Sequence, residues 1–112
     1  MIVKEALERL NRFAEDADVL VSDYVGNVSH PCCVRLEADK VVVDIVHESL
    51  ASLGQEGFTP LETVELKQKL ETMNRPFHEI VFSNYAGQLS NAQCVRQEVP
   101  GTVLFDIDGL SR

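Results

Sequence analysis

Apolar residues fall at helical spacing in two stretches of the chain and alternate with polar ones through much of the remainder. Val3, Ala6, Leu7, Leu10, Phe13, Ala14 and Ala17 share one face of an expected helix running from residue 2 to about 17. Glu5, Glu8, Arg9, Arg12, Glu15 and Asp16 lie off that face, and Glu5–Arg9 and Glu8–Arg12 are spaced as i,i+4 pairs. In the second stretch Leu66, Leu70 and Met73 recur at helical spacing. Thr59 reads as the N-cap of this central helix, Pro60 as its first residue, Glu62 as the partner in a capping box and Pro76 as its stop.

Between and after the helices the pattern is that of strands. Asp18 to Val25 predicts a short strand broken at Gly26-Asn27, and Ser29-His30-Pro31 predicts a loop, because the residue before proline is pushed away from helical geometry. Cys32, Val34 and Leu36 alternate with Cys33, Arg35 and Glu37, and the β-branched run Val41-Val42-Val43-Asp44-Ile45-Val46 suits a returning strand. Val42, Ile45, Val46, Ser49, Leu50 and Leu53 also trace a helical face, with Gly54 placed as a C-cap. Residues 38–54 therefore read either as one helix or, preferably, as a strand to Val46 followed by a short helix through Leu53. Phe77 to Ser83 predicts another strand. Ala92–Val99 and Thr102–Ile107 predict a hairpin through Pro100-Gly101, a pair suited to a type II turn. The pattern shows no internal repeat, low-complexity tract or linker. The expected architecture is α+β: a single domain over residues 1–112, with two or three helices on one face of a mainly antiparallel sheet.

Charge narrows the choice of partner. Ten basic residues against eighteen acidic ones give a formal net charge of −8, a field that repels nucleic acid phosphates and anionic membrane surfaces and attracts a basic protein. No apolar run approaches the roughly 20 residues needed to span a bilayer, and Met1-Ile2-Val3-Lys4-Glu5 meets charge too early for a secretory signal. Three cysteines, Cys32, Cys33 and Cys94, cannot all pair within one chain, and adjacent Cys32 and Cys33 suit an ordinary disulfide poorly. A reduced protein in a cytoplasmic compartment is expected.

The candidate chemistry is thin. Val103-Leu104-Phe105-Asp106-Ile107-Asp108-Gly109-Leu110 resembles the opening motif of haloacid dehalogenase-superfamily phosphotransferases, which would make Asp106 the nucleophile and Asp108 the proton donor beside Mg²⁺. Leu110 stands where that motif has Thr, and the later strands that supply its remaining groups do not follow Arg112. A final strand with Phe105 and Ile107 inward and the aspartates toward water is the expectation instead. His30, Cys32, Cys33 and Cys94 are soft ligands without the spacing of a zinc site, and Cys33 with His47 or His78 has no local signature of a nucleophilic pair. No catalytic, cofactor-binding or metal-binding residues are assigned.

These features favour a non-enzymatic acidic protein-interaction module, such as an inhibitor or immunity-type protein that neutralises a basic enzyme or toxin. The competing reading is a small enzyme using a cysteine or paired carboxylates. For the binder, Glu15, Asp16 and Asp18 near the end of the first helix, and Glu37 and Asp39 in the following polar turn, are the expected contact acids.

Overall fold

A computed structural model describes residues 1–22, 28–47, 61–83 and 89–107. Its elements are α1 (Val3–Leu10), β1 (Asp18–Ser22), β2 (Val28–Glu37), β3 (Lys40–His47), α2 (Thr63–Met73), β4 (Glu79–Ser83), β5 (Leu89–Val99) and β6 (Thr102–Ile107). The α+β class holds, but the sheet does not lie open under the helices. Its six strands close into a barrel in the order β1-β2-β3-β4-β5-β6. Four of the pairings are antiparallel. The β3–β4 and β1–β6 ladders are parallel, and each has five residue pairs. A parallel neighbour requires a crossover, and α2 lies in the one that joins β3 to β4.

The barrel is a doubled unit. Helix, strand, strand and strand occur twice, and equivalent pieces make equivalent bonds. The first-turn N–H groups of a helix have no intrahelical partner. In α1, Val3 N–H donates to His78 O at 3.0 Å and Lys4 N–H to Pro76 O at 2.8 Å. In α2, Thr63 N–H donates to Ala17 O and Val64 N–H to Glu15 O, both at 2.9 Å. Each helix is thus capped by backbone of the other half. Extended bridges Ile2–Glu79 and Glu62–Asp18 complete the same exchange. The expectation of no repeat is overturned in the sequence as well: Ser22-Asp23-Tyr24-Val25-Gly26-Asn27-Val28-Ser29 returns as Ser83-Asn84-Tyr85-Ala86-Gly87-Gln88-Leu89-Ser90, and Cys33-Val34-Arg35 returns as Cys94-Val95-Arg96.

Both helices start and finish at the end of the barrel where β1 and β4 begin, and they close it. Val3, Ala6 and Leu10 of α1 and Leu66 and Leu70 of α2 are buried in one cluster with Val19, Val21, Val41, Val43, Ile45, Ile80, Phe82, Val103, Phe105 and Ile107 of the strands. Phe82 and Phe105 meet at a centroid separation of 5.3 Å, tilted by 57°, a geometry aromatic pairs favour. The barrel interior is packed with apolar side chains.

Several expected boundaries move. α1 ends at Leu10 rather than near residue 17; Phe13 is half-buried, Ala14 is exposed and Ala17 is buried outside the helix. α2 begins at Thr63, with Glu62 at the N-cap, so the expected pairing of Thr59 with Glu62 is replaced by one of Glu62 with Glu65. Glu65 Oε1 accepts from Glu62 N–H at 3.1 Å. The reason is tertiary: Leu61 N–H donates to Pro31 O and Glu62 bridges Asp18, which hold this backbone extended. Thr59 and Pro60 lie outside the described residues. The helix stops as expected, with Asn74 left-handed at φ 53 just before Arg75-Pro76. Ser29-His30-Pro31 is not a loop but part of β2, where Pro31 sits at a register shift, a position that tolerates its missing N–H. β3 runs to His47 as a strand, whereas the short helix expected through Leu53 falls outside the described residues. β6 spans Thr102–Ile107 as expected, and Gly101 in the turn before it has φ +87.

Candidate functional site

The expected contact acids fall in two separate runs toward the helix-bearing end. Glu15 and Asp16 are exposed in the segment between α1 and β1, and exposed Asp18 opens β1, paired with Thr102 across the parallel ladder. Glu37 closes β2 and Asp39 lies in the β2–β3 turn, both exposed. Because β1 runs away from this end and β2 runs back toward it, the two runs stand on neighbouring staves of the barrel. Glu37 is already engaged, its carboxylate taken by Arg35. Glu15, Asp16, Asp18 and Asp39 form no ion pair with any described residue.

A second arrangement, which the strand pattern alone did not reveal, lies on the outer wall. Val43 and Ile45 point into the core, so Asp44 between them points out, and so does Cys33, its partner across the ladder. Arg35 Nε donates to both oxygens of Asp44, at 3.0 and 3.3 Å. On β5 and β6, Arg96 Nε donates to Asp106 Oδ2 at 2.7 Å and Arg96 Nη2 to Asp106 Oδ1 at 3.2 Å. Cys94 Sγ adds a bond to Asp106 Oδ2 at 3.0 Å. The repeated Cys-Val-Arg, followed in each half by an Asp-Ile pair, was the available signal.

The electrostatics of this wall are those of a brace. Its bonds to Arg96 hold the Asp106 carboxyl below the usual aspartate range, against the opposing pull of partial burial. The same carboxylate pushes the Cys94 thiol up, with burial adding to the effect. Burial pushes Cys32 up to about 12, helped by the neighbouring Cys33. A nucleophilic cysteine needs the opposite shift. Asp106 is therefore tied into an ion pair beside Arg96, and Asp108, the second aspartate of the phosphotransferase-like stretch, lies outside the described residues.

The soft ligands are not assembled. β2 and β5 lie on opposite sides of the six-stranded ring, which keeps Cys94 away from Cys32 and Cys33. Among the described residues no group of three metal-capable side chains converges. His78 sits beside the start of α1, away from Cys33 on the barrel wall. A groove of about 210 Å³ runs between the helices, lined by Val3, Leu7, Leu70, Glu71, Asn74, Arg75 and Pro76. It is smaller than typical small-molecule sites of roughly 300–1,000 Å³. No described helix is long and apolar enough to cross a membrane. The chain has no significant match to a protein-family model, a curated protein or a solved structure.

Proposed function

We propose that this protein is a non-enzymatic, acidic protein-interaction module whose partner is a basic protein, in the manner of an inhibitor or immunity-type protein. The supporting observation is the set of exposed carboxylates Glu15, Asp16, Asp18 and Asp39, in the segment that leads into β1 and in the β2–β3 turn, without an ion pair to any described residue. Carboxylates left in solvent retain their long-range field, which accelerates encounter with an oppositely charged surface. A rigid barrel with a filled interior also holds them in place at little conformational cost on binding.

Affinity capture from the native cell supplies the partner, and association kinetics then test the reading. The on-rate of the wild-type protein is expected to fall as salt rises, because attraction is screened beyond ~8 Å at physiological ionic strength. Charge reversal of Asp16 or Asp39 is expected to slow association and flatten the salt slope. Variants that associate at the wild-type rate with the same slope would remove these acids from the recognition surface. A strongly acidic partner would end the electrostatic reading.

A further inference from the structure

The backbone exchange that caps the helices also defines two equivalent corners of the barrel. Val3 N–H donates to His78 O where Thr63 N–H donates to Ala17 O, and Lys4 N–H donates to Pro76 O where Val64 N–H donates to Glu15 O. Phe77 therefore stands in one half where Asp16 stands in the other, with Arg75 in the place of Ala14 and Lys4 in the place of Val64. The first corner carries two cations and an aromatic ring. Lys4, Arg75 and Phe77 are all exposed, Phe77 at 73%, and Lys4 Nζ lies 5.9 Å from the ring centroid. The second corner carries exposed Glu15 and Asp16. Lys4, Arg75, Glu15 and Asp16 form no ion pair with any described residue.

We propose that the chain forms a two-fold dimer through its helix-bearing end, in which the Lys4–Arg75–Phe77 corner of each copy docks on the Glu15–Asp16 corner of the other. The geometry closes. α1 runs from the cationic corner toward the anionic one and α2 runs back, so the corners lie at opposite ends of the helix pair. β1 and β4 both run away from this end, which sets the internal two-fold along the barrel axis with one corner on either side of it. A second copy is turned end over end, about an axis perpendicular to the barrel and to the line between the corners. Each cationic corner then lies on an anionic one. Both contacts form at once, which is the isologous arrangement of a closed dimer.

Local complementarity outweighs overall charge in this contact. Each copy carries a net charge of −8. That mutual repulsion is screened beyond ~8 Å at physiological ionic strength, whereas pairs partly buried by docking are screened much less. Phe77 supplies the apolar anchor, because its exposed ring leaves water on docking. The dimer needs no basic partner, although such a protein would compete with the second copy for Glu15 and Asp16.

Sedimentation of the purified chain at physiological ionic strength, from micromolar to millimolar concentration, tests the dimer. A reversible monomer–dimer equilibrium is expected. Lys4→Glu with Arg75→Glu, and separately Glu15→Lys with Asp16→Lys, should each raise the dissociation constant at least tenfold. An equimolar mixture of these two double variants should dimerise again, since one presents carboxylates at both corners and the other cations at both. Phe77→Ser should weaken the dimer. Leu89→Ser should not, because it removes an exposed apolar side chain at the opposite end of the barrel. Circular dichroism checks that every variant folds; if a double variant does not, Phe77→Ser against Leu89→Ser carries the comparison. The Lys4 and Arg75 reversals leave every carboxylate in place, so their effect bears on the second copy and not on attraction to a basic partner. A wild type that stays monomeric throughout, a dimer indifferent to either double reversal, a mixture that stays monomeric, or a dimer lost with Leu89→Ser would each overturn the proposal.

Discussion

Asp106 illustrates how a residue that reads as chemistry in one dimension becomes structural in three. In the linear pattern it is the leading aspartate of an apolar strand. In the barrel its carboxylate is occupied by Arg96 and Cys94. The ion pair makes a pH-dependent contribution whose sign follows from the depressed pKa of Asp106. Its stabilising effect is fully present above the ordinary aspartate value, about 3.9, and is lost as pH falls through the lower folded value. Asp106→Asn should therefore cost about 0.5–1 kcal/mol near pH 7, modest because both partners are partly solvated. In urea melts, that difference from wild type should shrink toward zero below pH 3. The same substitution removes the carboxylate that raises the Cys94 thiol, so Cys94 should react faster with iodoacetamide at neutral pH. If the melts differ by the same amount at every pH, charge on Asp106 is not what stabilises the fold.

Elements were legible where local pattern and tertiary demand agreed. β6 and the turn at Gly101 could be read because alternation, proline and glycine all point the same way. The start of α2 could not. Thr59-Pro60 carries a good local start signal, but a pairing with Asp18 and Pro31, distant in sequence, holds residues 61–62 extended. The β2 bulge was illegible for a similar reason, since only the ladder shows that Cys32 breaks alternation. The two equivalent hairpin turns give a paired prediction. Gly101 adopts φ +87 at no steric cost, whereas Ala38 is held at φ 52, where a Cβ is disfavoured. Ala38→Gly should stabilise the protein by up to about 1 kcal/mol, and Gly101→Ala should destabilise it by about as much. No described atom lies within 4 Å of a Cβ built at Gly101, so the second cost is that of backbone conformation alone. Opposite shifts in thermal midpoint would support this assignment. Shifts of the same sign would contradict it.

At the scale of the whole molecule, the duplication was hidden because its halves agree mainly at the first strand-to-strand connection and at Cys-Val-Arg, while their helices differ. α1 presents Val3, Ala6 and Leu10 to the core, and α2 presents Thr63, Leu66 and Leu70. A search for apolar period sees two unrelated helices, whereas the backbone exchange at their first turns shows equivalent ones. That exchange bears on folding. Neither half has a separate core: Phe105 of β6 faces Val21 of β1 across one parallel ladder, and Phe82 of β4 faces Val43 of β3 across the other. Each helix also needs carbonyls from the opposite half to satisfy its first turn. The barrel should consequently unfold in one cooperative step, with far-UV dichroism and tyrosine fluorescence tracing the same urea curve. Phe105→Ala should lower stability by roughly 3–5 kcal/mol through loss of buried contact and the cavity left behind. It should shift both probes together, although Phe105 belongs to the second half. Two separated transitions, or a variant in which β1–β3 keep native amide protection after the second half has opened, would show that the halves are independent units and that their shared core is not what holds the barrel closed.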